Sequence, residues 1–513
     1  MKGKKRIAFN MVAQFISFVL NMGISLVLTP YVTEHVGKEV YGFVNLALQM
    51  TSYVTIVTSA LNSMLGRYIL VNTSKKNYDE ANKYFASVSV ANIGFSAALV
   101  LPAAAVVYYL NVLINIPTQY VSDVKILWGF IFANFILSLA TECFQTATYV
   151  SNRLDLQAVR TMESNILKVI MLFLMYRFMV SRVWYIGVST FVCGLFIIVT
   201  NIYYTKKLTP ELQIRRKYID LKAVIELTKV GIWNSVNQLS QNLINGLDML
   251  LTNLFVGASQ MTLMGFAKAV PTYILSLIGI VCGSFAPQLT MTYAEGDTEK
   301  FVKQVNSSCR ICGFICSVPI LGYLAFGTSF FRLWLPTLTP DEIRMVQLLS
   351  ILTLSQTIFD VFLYPLYTVN SITCRLKWPV LVNLFIGIGN VVGTLVLLKT
   401  TNLGVYAVQL VSSTLLTARV FFFAPLYAAN ILNVSWKTFY KPLLRGIASS
   451  ITVLVLFGIA NYFVQIDSWM KLLLVCIIGG IIGYAISYII VLEKNDKVQV
   501  RQLLEKKLRR RQA

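Results

Sequence analysis

Charge and titratable chemistry are scarce in this 513-residue sequence. Only 13% of its residues are Asp, Glu, Lys or Arg, and it holds a single histidine, His35. One imidazole in a short loop supports no metal or catalytic set. No Walker A sequence occurs, so no ATPase is encoded. Cysteine is sparse, and Cys309, Cys312 and Cys316 run in the reverse order of a cluster motif within an apolar stretch, which reads as helix packing. Gly387-x-Gly389 follows no strand, and with Gly479-x3-Gly483 it reads as close approach of helices.

Apolar residues make up 56% of the chain, the composition of a polytopic helical membrane protein. Fourteen apolar segments of spanning length follow one another: 7–30, 41–64, 85–109, 125–149, 164–180, 183–205, 229–256, 264–290, 309–330, 345–369, 378–398, 403–431, 442–465 and 469–492. The expected fold is therefore an all-α integral membrane protein of about fourteen transmembrane helices. Of the 44 Lys and Arg residues, 33 fall on the cytoplasmic side if the N-terminus is inside, so both termini are expected there. The apolar run after Lys2-Gly-Lys-Lys-Arg6 is too long for a signal peptide and reads as a retained first helix.

Much of the net charge of +22 sits in two stretches. The first, 206–226, contains Thr209-Pro210-Glu211, which predicts a helix N-cap with proline at the first position. The second begins at Glu493 and places Val500, Leu503, Leu504 and Leu508 on one helical face among eight Lys and Arg. Both fit cytoplasmic bias and adhesion to anionic lipid headgroups rather than nucleic acid.

Polar residues inside the apolar segments are the informative minority. Asn234, Gln238, Gln241, Asn245, Asp248 and Thr252 alternate at steps of four and three, which puts them on one side of a helix over roughly 27 Å. Lipid cannot face such a seam, so it is expected to line a polar cavity. Asn10, Gln14, Ser17 and Asn21 repeat its first four positions 224 residues earlier. Gly42-Phe43 recurs as Gly265-Phe266, and Glu142-x-Phe144-x4-Tyr149-x2-Asn152 recurs as Asp360-x-Phe362-x4-Tyr367-x2-Asn370. The expectation is two six-helix lobes related by a parallel pseudo-two-fold repeat, 1–205 and 229–431, with a basic linker at 206–228, two further helices at 432–492 and a basic tail at 493–513.

Charges within the bilayer are costly and imply roles. Glu142 and Asp360 are expected to form gating or structural ties to Arg153 and Arg375. Asp248 has no acidic counterpart in the first half, which makes it the candidate for ion coupling; the competing reading pairs it with Lys268. Lys268, Arg419 and Arg67, with the amides Asn10, Gln14, Asn21, Asn234, Gln238, Gln241 and Asn245, are candidates for binding an anionic, hydroxyl-rich substrate.

Leu28-Thr29-Pro30, Gly37-Lys-Glu39-x-Tyr41-Gly42-Phe43 and the Met264-Gly265-Phe266-Ala267-x-Ala269 to Pro287 pattern resemble the polysaccharide transporter family, which includes Wzx-type O-antigen flippases of the multidrug/oligosaccharidyl-lipid/polysaccharide exporter superfamily. The resemblance spans the chain. It implies a flippase, not an enzyme, with no cofactor beyond an H⁺ or Na⁺ coupling ion. Alternating access would carry an undecaprenyl-diphosphate-linked oligosaccharide across a bacterial inner membrane, with a polymerase or glycosyltransferase as partner. Three alternatives stay open. A multidrug extruder usually carries an acid in helix one, and here there is none. A lipid II flippase shares the helix count and a cationic cavity. A membrane-embedded polymerase or scaffold calls for a large outer loop, whereas the longest spans about 111–123.

Overall fold

The computed structural model describes residues 3–498, without the side chains of residues 3–8 and 57; all regular structure among the described residues is helical. The tail positions Val500, Leu503, Leu504 and Leu508 lie outside the described residues. The principal helices are α1 (Gly3–Val36), α2 (Lys38–Ser74), α3 (Tyr78–Tyr108), α4 (Val121–Ala140), α5 (Leu154–Phe178), α6 (Trp184–Leu208), α7 (Leu221–Gln241), α8 (Asp248–Phe255) and α9 (Ala258–Gly283). They continue with α10 (Ala286–Ala294), α11 (Thr298–Trp334), α12 (Pro340–Ser355), α13 (Pro365–Ile372), α14 (Lys377–Thr400), α15 (Val405–Phe422), α16 (Ala424–Ile431), α17 (Tyr440–Phe463) and α18 (Trp469–Ile490).

The expected apolar segments fall largely on helix, with breaks inside 125–149, 229–256, 264–290, 345–369 and 403–431. Among the described residues ten spans are long and apolar enough to cross a membrane, or twelve when the bent pairs around α2 and α12–α13 each count as one. The α5 helix and the α7–α8 stretch fall short because they carry too many polar groups.

The duplication is visible in where the helices begin and end. Helix α2 and the α9–α10 pair share both bounds at an offset of 220, as do the starts of α3 and α11. Gly37 and Gly257 precede the first pair with φ of 87° and 133°. Asn77 and Asp297 cap the second, each accepting from a backbone N–H three residues on. Beyond, the offset grows: Asn152 and Cys374, 222 apart, both take the left-handed conformation before α5 and α14. The 224-residue offset of the amide seams is about one helical turn longer than 220, which preserves the face and shifts the height.

The chain divides into two compact units, Met1–Thr262 with Asn383–Val391, and Leu263–Val382 with Val392–Ala513. In the first, α7 lies along α2 so closely that a Cβ on Gly231 would sit 1.9 Å from the Ala60 carbonyl oxygen. The helix that opens the second repeat in sequence is thus packed within the first unit. Leu61, Leu65, Ile69, Phe85, Cys143 and Leu227 form the adjoining core.

The expected N-cap at Thr209 does not form. Its hydroxyl donates back to the Thr205 carbonyl and closes α6, and α7 starts at Leu221 after the Asp220 cap, eight residues before the expected Lys229. The link between α6 and α7 is held to α3: Asn82 accepts from the Gln213 N–H, Ser87 from the Asp220 N–H, and Lys83 pairs with the Asp220 carboxylate at 2.9 Å. Lys83 holds that carboxyl below the usual carboxylate range.

Helix α7 does not run straight into α8. A π turn, Asn242–Gly246, separates them and loosens the backbone ladder. The carbonyls of this turn are met by side chains: Asn390 Nδ2 donates to Leu243 and Ile244 (3.2 and 2.9 Å), Gln49 to Asn245 (3.0 Å) and the Tyr53 hydroxyl to Gly246. Gly387, one turn before Asn390, makes room for this approach, since its Cβ would lie 2.7 Å from Leu243 Cβ.

In the second unit the core gathers around Phe362, with Phe301, Cys309, Leu366, Phe439 and Leu443. Cys312 is bonded to Cys282 there, Cys309 and Cys316 are buried thiols, and no group of His, Cys, Asp or Glu among the described residues could hold a metal ion. Gly483 packs against Val318 and Phe457, as the spacing of α18 implied. Arg310, buried on α11, binds Asp496 at 2.5 Å and ties the segment after α18 to this unit.

Two outcomes follow. Gly231→Ala forces α7 from α2 against a backbone atom that cannot rotate away, and should lower stability by about 1–3 kcal/mol, read by thermal unfolding of the detergent-solubilised protein. Asn390→Leu strips two π-turn carbonyls of their donor and should cost about 1–3 kcal/mol in the same assay, whereas Asn390→Gln should recover part of it.

Candidate functional site

The polar seam on α7 and α8 is divided by the π turn into parts with different surroundings. Asn234, half-buried, donates to Ser63 Oγ on α2 at 3.1 Å. Its neighbour Ser235 bonds Ser59 Oγ at 2.9 Å. Gln238 turns to Asn242 at 3.4 Å, and Asn242 Nδ2 donates to the Ser52 carbonyl at 2.7 Å. Asn234 thus joins the seam to α2, and Ser235 and Asn242 beside it join the same stretch to that helix. Gln241 is half-buried and Asn245 exposed. Beyond the turn, Asp248 and Thr252 are 1% and 0% exposed, and the Thr252 hydroxyl donates to the Asp248 carbonyl at 2.7 Å.

The first-repeat seam is divided too. Asn10 is buried and clamps the turn before α5: its Nδ2 donates to Asn152 Oδ1 at 2.9 Å, and its Oδ1 accepts from the Asp155 N–H at 3.2 Å. It stabilises a left-handed residue, φ 52° at Asn152. Gln14 is exposed, and Asn21 is exposed with Asn165 donating to it at 3.3 Å. Of the candidate amides, Gln14 and Asn21 on α1 and Asn245 in the π turn are the exposed ones. Lys268 on α9 is half-buried, and Arg67 on α2 is exposed.

The expected ties of Glu142 to Arg153 and of Asp360 to Arg375 are not made. Arg153 pairs with Asp155, two residues away, at 3.0 Å. Glu142 instead accepts from Asn62 Nδ2 at 2.9 Å. In the second unit Tyr367 donates to Asp360 at 2.6 Å, and Arg419 donates to that hydroxyl at 3.1 Å with its guanidinium 5.2 Å from the Tyr367 ring centre. Arg419 is thus engaged with Tyr367 beside Asp360, while Arg375 is held through its backbone, its carbonyl accepting from Tyr427 at 3.1 Å and its N–H donating to the Asn370 carbonyl at 3.0 Å. The two carboxylates are not equivalent positions either: at offsets of 220 to 222 the counterpart of Glu142 falls between Phe362 and Tyr364, two to four residues past Asp360.

Sequence reasoning missed Tyr367, Asn390, Gln49 and Tyr53. A signal existed for Asn390, an amide one turn beyond a packing glycine in a helix whose only other amide is Asn383. None existed for Gln49 and Tyr53, whose role depends on the π turn.

The profile of a family described as polysaccharide biosynthesis protein matches residues 7–292, more than half of the chain. The uncharacterized membrane protein EpsK of Bacillus subtilis (strain 168) is 27% identical over 509 residues, covering 98% of each chain. Among solved structures, the lipid II flippase MurJ in an inward closed conformation aligns at a TM-score of 0.67 with 15% identity, over 94% of this chain and 99% of that one. An inward-facing multidrug resistance MATE family transporter of the MOP superfamily aligns at 0.64 with 11% identity, over 85% and 100%. A MOP superfamily transporter from Pyrococcus furiosus, described by a reversed polarity of its binding pocket, aligns at 0.61 with 11% identity, over 82% and 96%. The structural likenesses establish the fold shared with these transporters, and the sequence match establishes that the chain belongs to the polysaccharide biosynthesis protein family.

Proposed function

We propose that the protein is a flippase that moves a polyprenyl-diphosphate-linked oligosaccharide across the bacterial cytoplasmic membrane, both of its termini being cytoplasmic. The observation that carries this reading is a family tied to polysaccharide biosynthesis whose member here has a transporter fold and exposes the amides Gln14 and Asn21 on α1 and Asn245 in the π turn. Amides bond sugar hydroxyls in water, and a lysine such as Lys268 offers charge to a diphosphate. The lipid tail needs no polar site, since the bilayer accommodates it. Asp248, buried just beyond the π turn, is the residue we assign to coupling with H⁺ or Na⁺.

A lipid II flippase is the second reading, favoured by the alignment with MurJ along nearly the whole length of both chains. Its cargo is also a polyprenyl-linked glycan, so the two readings differ in the glycan. Assaying both cargoes in proteoliposomes separates them: selective flipping of the oligosaccharide unit supports the first, and selective flipping of lipid II supports the second. Transport of a cationic drug with neither glycan moved would overturn both in favour of extrusion.

Lys268→Glu should reduce glycan export by ~10-fold or more at normal protein levels in a flippase-deletion strain, while Lys268→Arg keeps part of it, since a guanidinium still offers charge and donors. Full export by the Lys268→Glu protein removes this residue from the site. Asp248→Asn should retain glycan binding but lose the dependence of transport on a pH or Na⁺ gradient, measured in proteoliposomes with and without the gradient. An undiminished gradient response defeats the coupling assignment.

A further inference from the structure

The break after α4 carries a second carboxyl that the proposed transport cycle leaves unused. Helix α4 ends at Ala140, and Glu142 opens a 3₁₀ turn, Glu142–Gln145, that leads into the short helix Thr146–Val150. Asn62 on α2 donates to Glu142 Oε2 at 2.9 Å. Asn62 is in turn locked to Asn92 on α3, which is 0% exposed: Asn92 Nδ2 donates to Asn62 Oδ1 at 3.0 Å, and Asn62 Nδ2 also reaches Asn92 Oδ1 at 3.3 Å. Three elements of the first unit therefore converge on one carboxyl group.

We infer that Glu142 is a proton-binding site of the first unit, held by the Asn62–Asn92 amide pair. A carboxylate withdrawn from water is stabilised by a cation or a proton, because one amide donor replaces little of its hydration. Among the described residues no cation forms an ion pair with it. On α2, Arg67 is exposed and lies five residues past Asn62, and Tyr68 stacks edge-on to Tyr84. On α3, Tyr84 donates to Glu226 and Lys83 pairs with Asp220 and Glu80. Helix α4 carries only Asp123 and Lys125, near its opposite end, where Asp123 faces Arg182. On α6, Tyr204 accepts from Arg160, and Lys206 and Lys207 are exposed. Tyr149 in the helix after the turn is exposed, and Cys143 within the turn accepts from Ser89.

The donor set favours a proton over a metal cation. A hard cation is bound by several oxygens. Here Asn62 presents its N–H₂ to the carboxyl, and the two amide oxygens are occupied by each other's N–H groups. A proton on Glu142, which is half-buried, leaves the donor from Asn62 in place and removes the charge. Movement of the 3₁₀ turn into water would release that proton, which links occupancy to conformation. The inference does not rest on the proposed cargo, because it is read on the protein alone.

The test is infrared difference spectroscopy of the full-length protein in nanodiscs, titrated between about pH 5 and about pH 8. Wild type is expected to show a protonated-carboxyl stretching band that is absent in Glu142→Gln. The same band in Glu142→Gln overturns the proposal. So does a titration that moves when Na⁺ replaces choline at constant ionic strength, which would make this a metal-cation site. Should Glu142→Gln fail to fold, Asn62→Ala decides: loss of the amide donor should raise the band's frequency without abolishing it, and an unchanged frequency overturns the assignment.

Discussion

Hydrocarbon offers no hydrogen bonds, so any backbone group released from a helix ladder within the bilayer must find a partner in the protein. That constraint organises both units. At the π turn between α7 and α8, four consecutive carbonyls are taken by Asn390, Gln49 and Tyr53. At the 3₁₀ turn after α4, the Phe144 carbonyl accepts from Thr205 at 2.9 Å. In the second unit Ser350 donates to the Ala267 carbonyl, Gln347 to that of Leu324 and Tyr440 to that of Phe421. A large share of the polar residues that look functional in these apolar helices is committed to this task.

The same constraint explains how much of the chain was legible. Helix positions and the duplication could be read because apolar runs and recurrent amides are properties of the sequence alone, and the repeated helix bounds agree with the recurrent motifs to within about a turn. The face of the α7 seam could be read from its spacing. Its destination could not, since Asn234 and Asn242 meet Ser63 and Ser52 across about 170 to 190 residues of chain, and no local pattern encodes those pairings. The π turn was likewise hidden: Asn242-Leu-Ile-Asn-Gly246 holds nothing that distinguishes it from a continuing helix until its partners are known. At Thr209 the local signal was ambiguous, because a threonine beside a proline can cap the helix that follows or close the one before. Here it closes α6.

For Glu142 and Arg153, proximity in sequence was a poor guide for a definite reason. Arg153 follows a left-handed residue that turns the chain into α5, and Asp155 in the first turn of that helix is the nearest carboxylate. Asn10 then fixes the same turn from α1 through Asn152 and the Asp155 N–H. An amide that seemed to belong to a cavity holds a helix entry in place, which narrows the exposed set on α1 to Gln14 and Asn21.

Duplication supplies two copies of a scaffold, and divergence gives each copy its own way of carrying a carboxyl group through the bilayer. In the second unit Asp360 has a phenol donor whose oxygen also accepts from Arg419, so a cation stands behind the carboxylate through Tyr367. In the first, Glu142 has an amide pair, which donates but carries no charge. The charge around the two carboxyl groups thus differs, a guanidinium lying beyond the phenol in one case and only neutral amides in the other. The two units therefore need not respond alike to conformational change, even where their helices begin and end at matching positions. Such inequality suits a transporter, because a cycle that runs in one direction needs at least one step sensitive to a gradient, and a fully symmetric pair of sites would sense it twice at the same point in the cycle.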